Sequence, residues 1–569
     1  MKNTLLFITF FLYAIPTSAQ SKYFENFVYF SDYFQDASRV RNMGDDFYVT
    51  GVWNLESSVG WNSYLLKINA IGDTLFVSKW DTLGGDAHVV DFIIHNDTLS
   101  IILATTEIPS SYIYDTYLMQ TDLMGNIIQY TPIGYTQYSD IGRRIIRNND
   151  GTYLVAGDIY YNSHNRPYVI KLRSDGSVIW RKIFTQYPRG EFNGLDVDNE
   201  NGYYYFFGTA NKDLPFYGDW LIIKTDTAGN IIHEQTYHPG GVNATDGAQI
   251  LNGMLAADGS MLITTGVNYS EGRLAKINEN FDIVWTGENE FVSGGSESIV
   301  ELSDGSIVSG GTIRDLGSND IDAKLVKVNP NGATSWERRY GPTMADYCYD
   351  MVAAPDGGYM LVGRSYLPDL NIVPIYIIKT NCMGLLTEPQ AEFDTQTEAD
   401  YTVSFFNQSQ YTYPDSIDGG HYRWDFGDGS PPYICGQGYG PCPAVVQHTY
   451  AQAGTYTAQL TAIVCSDTAQ VTQIVAAAAV GMPASVGQWG GIKVYPNPAS
   501  ESLSLRYKGT QAAQWVLYDM SGRICKQLTL LPNTHTQTLP ITDLSAGVYY
   551  YTLQGSAGLL GNGKVVVGY

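Results

Sequence analysis

Tyr168-Val169-Ile170-Lys171, followed by Ser174-Asp175-Gly176 and then by Val178 to Phe184 with Trp180, is one beat of a repeating pattern. Apolar residues lead to a basic or amide residue, and a turn of Asp, Asn or Gly follows. The same cadence recurs as Tyr64 to Lys67, Tyr117 to Gln120, Leu221 to Lys224, Arg273 to Lys276, Lys324 to Lys327 and Tyr376 to Lys379. The last residues of these segments lie 51 to 53 positions apart. A near-constant period of this size marks a propeller or a solenoid, in which one supersecondary unit stacks on the next.

Each period divides into four strand-like pieces. In the third, Arg144 to Arg147 and Tyr153 to Ala156 flank Asn149-Asp150-Gly151, where glycine accepts the positive φ of a tight hairpin turn. Tyr168 to Leu172 and Val178 to Phe184 are the third and fourth pieces. The hairpin turn recurs at Asn201-Gly202, Asp258-Gly259, Asp304-Gly305 and Asp356-Gly357, and the fourth-strand tryptophan at Trp80, Trp285 and Trp336. Four strands per period fit the blade of a β-propeller. The seventh repeat stops after its third strand, at Met383-Gly384-Leu385, whereas Tyr23 to Phe30 is a strand with no hairpin partner. That strand is expected to complete the last blade, which closes the ring and removes an aggregation-prone edge. An open solenoid would need capping repeats, and none is legible.

Composition points the same way. A chain of 569 residues exceeds one ordinary core, so several domains are expected. The 58 glycines and 44 tyrosines suit short strands joined by tight turns. A net charge of −24 repels nucleic-acid phosphates and anionic membrane surfaces, which argues against both as partners. Lys2, the apolar run Leu5 to Ile15, Pro16 and Thr17-Ser18-Ala19 have the layout of a signal peptide cut after Ala19. That run is too short to cross about 30 Å of hydrocarbon, and no later segment is expected to be transmembrane. In an exported chain the six cysteines permit disulfides. Cys435 and Cys442 share a polar loop and could close it. Cys348 and Cys382 fall at opposite ends of one blade, so the pairing is left open.

From about Pro389 the cadence disappears. His421-Tyr-Arg-Trp-Asp-Phe-Gly-Asp-Gly429 is followed by Gln447-His-Thr-Tyr450 and by Gly454-Thr-Tyr456. This set resembles the PKD family and implies an immunoglobulin-like sandwich. Trp424 and Phe426 alternate inward to give it core mass. Asp425 and Asp428 could bind Ca²⁺ as hard oxygen ligands, although such residues more often cap the turn.

The last stretch carries Tyr495-Pro496-Asn497-Pro498, the Tyr518-to-Arg523 hairpin with Gly522, Leu544 to Tyr549 with Gly547, and a terminal strand with Lys564. In order and spacing these resemble the type A C-terminal sorting domain of the type IX secretion system. The resemblance implies that Tyr495, Pro496, Asn497, Pro498, Gly522, Gly547, Tyr549 and Lys564 form the sorting motif. It also implies that the partner is an outer-membrane translocon and the destination the cell surface or the medium. The chain ends Val567-Gly568-Tyr569 rather than on the family's basic residues. The tail is expected to be a small β-sandwich with Pro496 and Pro498 fixing an extended lead-in.

The expected organisation is all-β: signal peptide at 1–19, seven-bladed β-propeller at 20–388, PKD immunoglobulin-like domain at 389–477, linker at 478–490 and sorting domain at 491–569. The eight histidines are scattered and no catalytic, cofactor or metal motif is legible, so no catalytic residue, cofactor site or metal ligand is assigned. Asp196, Asp198 and Glu200 could form a Ca²⁺ loop, but a solvated turn is the preferred reading. Asp73-Thr74-Leu75, Asp81-Thr82-Leu83, Asp97-Thr98-Leu99 and Asp467-Thr468-Ala469 look like O-glycosylation acceptors of bacteria with this export route. Two function classes remain. One is a surface binding or adhesion protein that grips a glycan or a protein, favoured by Tyr112, Tyr114, Tyr160 and Tyr161 in loops. The other is a secreted glycan-active hydrolase that uses carboxylates in the propeller channel.

Overall fold

The computed structural model describes residues 22–30, 34–54, 61–80, 86–105, 114–211, 218–238, 248–267, 271–287, 296–314, 320–342, 345–398, 400–412, 420–478, 492–507, 511–519, 523–532, 536–555 and 558–568. The signal peptide, most of the linker and Gly522 lie outside them. Every regular element among the described residues is a β-strand.

Seven four-stranded antiparallel sheets form the propeller. The third blade runs Asp140–Arg147, Tyr153–Tyr161, His164–Leu172 and Val178–Ile183. Its second and third strands are longer than the sequence suggests, so Tyr160 and Tyr161 end a strand and do not lie in a loop. All seven first strands carry a bulge at the equivalent position, as between Ala37 and Arg39, Gly142 and Arg144, and Cys348 and Asp350. The extra residue bends the strand and sharpens its twist where the blades meet.

The basic residue of the cadence has a structural cause. Lys67, Lys276 and Lys379 reach back to Asp46, Asp258 and Asp356 of the first hairpin in their own blades, at 2.7–2.8 Å. Lys171–Asp150 and Lys327–Asp304 make the longer version, at 3.8 Å. The aromatic residue opposite that lysine stitches one blade to the next. Trp180, Trp285 and Trp336 pair across from Lys171, Lys276 and Lys327, and each packs on the turn glycine of the following blade: Gly229, Gly332 and Gly384. A Cβ at Gly332 would sit 2.7 Å from the Trp285 ring, and these glycines have positive φ. Trp80 is on a fourth strand but in another register, opposite Ser63.

The ring closes as the terminal strands suggest. Phe24–Val28 pairs antiparallel with Ile375–Thr380 and becomes the outer strand of the seventh blade. Phe24 takes the stitching position opposite Lys379 and packs on Gly72 of the first blade. Val40, Val49 and Leu66 of the first blade share a buried cluster with Met360, Val362 and Ile377 of the seventh.

A three-stranded and a four-stranded sheet make the next sandwich, with Phe393, Phe405, Trp424 and Phe426 at its centre. Its longest hairpin, Gly454–Val464 and Asp467–Ala477, rests on the seventh blade. Val464 joins that blade's core beside Met383, Ser466 Oγ donates to Asp356 O at 2.7 Å, and Cys465 is disulfide-bonded to Cys382. Asp467 accepts from the Tyr23 hydroxyl at 2.6 Å and pairs with Lys22. The second disulfide, Cys435–Cys442, closes the polar loop; Cys348 and Cys525 lie outside both bridges. A second pair of sheets, around Trp515 and Leu517, forms the C-terminal sandwich.

Candidate functional site

The first strands bring acids and bases together where the blades converge. Arg41 donates from Nη2 to Asp91 Oδ1 at 2.6 Å and from Nη1 to Asp350 Oδ2 at 2.8 Å. The same carboxylates accept backbone N–H groups of the neighbouring blades: Ile145 to Asp91 at 3.0 Å, and Val40 to Asp350 at 2.9 Å. Ser298 Oγ donates to Asp350 Oδ1 at 2.8 Å and itself accepts from Met351 N. Burial pushes the Asp350 carboxyl up, but Arg41, Arg39 and the Val40 amide more than offset it, and the net shift is downward. An acid held ionised and fully hydrogen-bonded is a poor proton donor, so this cluster serves as an inter-blade staple.

A cleft of about 530 Å³ opens between the third and fourth blades, a volume typical of small-ligand pockets. Its walls follow from strand alternation. In the third blade Tyr160 pairs with Asn165, and Asp158 lies two residues before Tyr160, so the three share one face. In the fourth, Arg189 pairs with Asn211 and Glu191 with Thr209, which puts these four on the facing wall. Gln249 of the fifth blade and His164 complete the lining. Asn162 and Ser163, both at positive φ, form the two-residue turn that carries Tyr160 outward, and Tyr160 is 52% exposed. Gly218 keeps the far wall open: a Cβ there would lie 1.9 Å from Thr209 Cγ2.

The floor is polar and satisfied. Arg143, the bulge residue, donates Nε to Asp158 Oδ1 at 2.6 Å, and its Nη2 lies 3.0 Å from Glu191 Oε2. Asn165 Nδ2 holds Asp158 Oδ2, and Asn193 Nδ2 holds Glu191 Oε1, each at 3.0 Å. Burial raises the Asp158 carboxyl above its ordinary range in spite of Arg143. Two side chains of the lining are not committed in this way. Thr209 Oγ1 is buried without a hydrogen-bond partner, and exposed Arg189 makes no ion pair among the described residues. The site can therefore stack a ring on Tyr160 and hydrogen-bond a polyhydroxylated ligand.

Of the residues singled out for glycan contact, Tyr160 lines this cleft. Tyr161 packs edge-on against Tyr138, Tyr114 lies 6.3 Å from His88, and Tyr112 is outside the described residues. Sequence reasoning missed Arg143, Glu191, Arg189 and Thr209, which converge only once the blade register is known. The Ca²⁺ candidates are engaged with protein. Asp425 and Asp428 cap their turns through Gly427 N and Ser430 N, and Asp428 Oδ2 also meets His448 Nε2 at 2.7 Å. Asp196 reaches Leu255 N of the fifth blade, and Asp198 caps the Glu200–Asn201 turn. Among the described residues no His, Cys, Asp or Glu group of three or more is placed to hold a metal.

In the tail Asn497, Gly547 and Tyr549 of the expected motif meet Lys564 and its neighbours on the last strand, Gly558–Val567, whereas Tyr495 pairs with Ser504 in the other sheet. Asn497 Nδ2 donates to Lys564 O at 2.9 Å, and its Oδ1 accepts from Val566 N at 2.7 Å. Gly547 and Tyr549 pair across from Val567 and Val565. Tyr549 is buried, whereas Tyr495 and Lys564 are exposed. Residues 496–498 form a bend with both prolyl peptides cis, in place of the extended lead-in. The bend lets the Asn497 side chain act as backbone partner to the strand edge.

Comparison with known proteins agrees with this architecture. Residues 493–567 match the secretion system C-terminal sorting domain, and residues 387–479 match the PKD domain. No curated protein matches the chain. Among solved structures, the chain is similar to the PKD1 domain of Vibrio anguillarum Epp, with 27% identity, coverage of 16% of this chain and 93% of that one, and a TM-score of 0.12. It is also similar to the β-propeller domain of the Trilobed protease from Pyrococcus furiosus, with 10% identity, coverage of 62% and 96%, and a TM-score of 0.37. A third is PorZ, a bacterial surface component of the type-IX secretion system of Porphyromonas gingivalis, with 9% identity, coverage of 96% and 100%, and a TM-score of 0.19. No helix among the described residues is long and apolar enough to cross a membrane. The chain is an exported, surface or secreted, all-β protein that carries a PKD domain and a type IX secretion C-terminal sorting domain behind its propeller.

Proposed function

We propose that this exported protein is a non-catalytic binder whose propeller takes a saccharide in the cleft between the third and fourth blades. One observation supports it most: the cleft offers an exposed aromatic face, amide side chains and a buried hydroxyl, while both of its carboxylates are tied into hydrogen bonds with Arg143 and an amide. Sugar rings stack on aromatic faces, and their hydroxyls suit amide donors and acceptors. A glycosidase needs one carboxyl free to give a proton and another free to attack or to activate water. Delivery to the translocon rests with the C-terminal domain, where Tyr495 and Lys564 present exposed side chains beside the bend.

The test is an oligosaccharide array read with the purified chain, together with an assay for new reducing ends. Retention without product is expected. The Tyr160→Ala variant should lose about tenfold in affinity, the scale of one stacked ring, with its melting temperature unchanged. New reducing ends would make the protein a hydrolase, and an array without a retained member would remove the saccharide.

A further inference from the structure

We infer that the ligand of this cleft is an acidic saccharide, whose carboxylate is received by Arg189 while its ring lies on Tyr160. The inference rests on the saccharide reading above and goes one step further, to the charge of the sugar.

The argument is a census of the charges in the cleft. Arg143 is consumed: it lies between Asp158 and Glu191, and both acids are further held by Asn165 and Asn193. That subset is closed by hydrogen bonds and keeps one net negative charge, so it offers no cation to a ligand. Arg189 stands apart on the same wall as Glu191 and Thr209, exposed, and without an ion pair or hydrogen bond among the described residues. Arginine is a planar fork that matches a carboxylate in bidentate geometry, and it stays charged at any physiological pH. An uncommitted guanidinium is conspicuous in a chain of net charge −24. Nearby cations are spent: Arg166 donates to Thr185 O and Tyr187 O, and Arg144 turns toward Arg143 O and Leu251 O.

A second, independent feature points to a ligand with hydroxyls beside its charge. Thr209 is 6% exposed, and its Oγ1 has no hydrogen-bond partner. A buried hydroxyl left unsatisfied carries a desolvation penalty, which a hydroxyl or carboxyl oxygen entering from the cleft would relieve. Thr209 pairs directly with Glu191, two residues along from Arg189, so one sugar unit can address both. Tyr160, on the facing wall, supplies the apolar surface. Uronates and sialates combine these three needs: a ring face, hydroxyls and a carboxylate.

The test uses the full purified chain on immobilised oligosaccharides that bear uronate or sialate units, each beside its carboxyl-reduced counterpart. Expected is retention of acidic members, with a loss of about tenfold or more on carboxyl reduction and a similar loss in Arg189→Gln, partly restored in Arg189→Lys. Tyr160→Ala should weaken every member that binds. Equal retention of the reduced counterparts, or an Arg189→Gln variant that binds as the parent does, overturns the acidic-sugar inference and leaves the saccharide reading standing. Failure to retain any member overturns both. Arg189 is exposed, so its substitution does not threaten the fold, and unchanged melting of the variant verifies this.

Discussion

Arg41 and Arg143 each bridge two carboxylates, yet the two clusters differ in what the remaining carboxylate oxygens meet. Around Arg41 they meet backbone N–H groups of other blades, Val40 and Ile145, and the Ser298 hydroxyl. Around Arg143 they meet only side-chain amides, Asn165 and Asn193. The first cluster is part of the chain's own hydrogen-bond accounting and fixes one blade against the next. The second could be rearranged without leaving a main-chain donor unpaired, and it faces the cleft. The same chemical unit thus acts as a fastener in one place and as a binding-site floor in another.

The comparison breaks most visibly on deletion. Asp350→Ala strands Arg41 and the Val40 amide in a buried site, and a loss of about 3–5 kcal/mol in urea denaturation is expected. Glu191→Ala, whose side chain is partly exposed, should cost about 1 kcal/mol or less. Equal losses would mean that the cleft cluster is also a fastener. Next in size is the seal on the seventh blade. The double change Cys382→Ser and Cys465→Ser should lower stability by about 2–4 kcal/mol in urea denaturation.

The smallest effect is in pH, where the two clusters should differ in sign. Asp350 lies below its ordinary 3.8, so its stabilisation is full above about pH 4 and is lost as pH falls through the folded value. Asp158 lies above 3.8, so its contribution is full below about pH 4 and is lost as pH rises through the folded value. Urea midpoints of the parent, Asp350→Asn and Asp158→Asn, taken from about pH 3 to pH 7, should show the parent's advantage growing with pH in the first comparison and shrinking in the second. Parallel slopes would erase the distinction.

The ring was legible because its repeat is local. Apolar strand, lysine and turn lie within ten residues of one another, and the unmatched strands at the two ends name each other as partners. The cleft was hidden because Tyr160, Glu191 and Thr209 belong to three strands of two blades, and only the register places them together. The aspartate partners of the cadence lysines were visible as turn residues, but the lysine's reach back to them within its own blade was not. Tyr160 and Tyr161 read as loop residues because the hairpin turn, Asn162-Ser163, has no glycine. The Cys382–Cys465 bridge crosses from propeller to PKD domain, so no spacing within either module could reveal it.

That bridge also decides how the molecule bears a load. Tension arriving from the tail enters the PKD domain at the end of Asp467–Ala477 and runs back along that one strand to Cys465. There it crosses by a covalent bond to Cys382 and into the seventh blade. The intervening strands, from Phe393 to Val464, lie outside that covalent path. Shear on a tethered copy of this protein would therefore pass from the PKD domain to the propeller through that covalent bond, without first stretching the PKD sandwich.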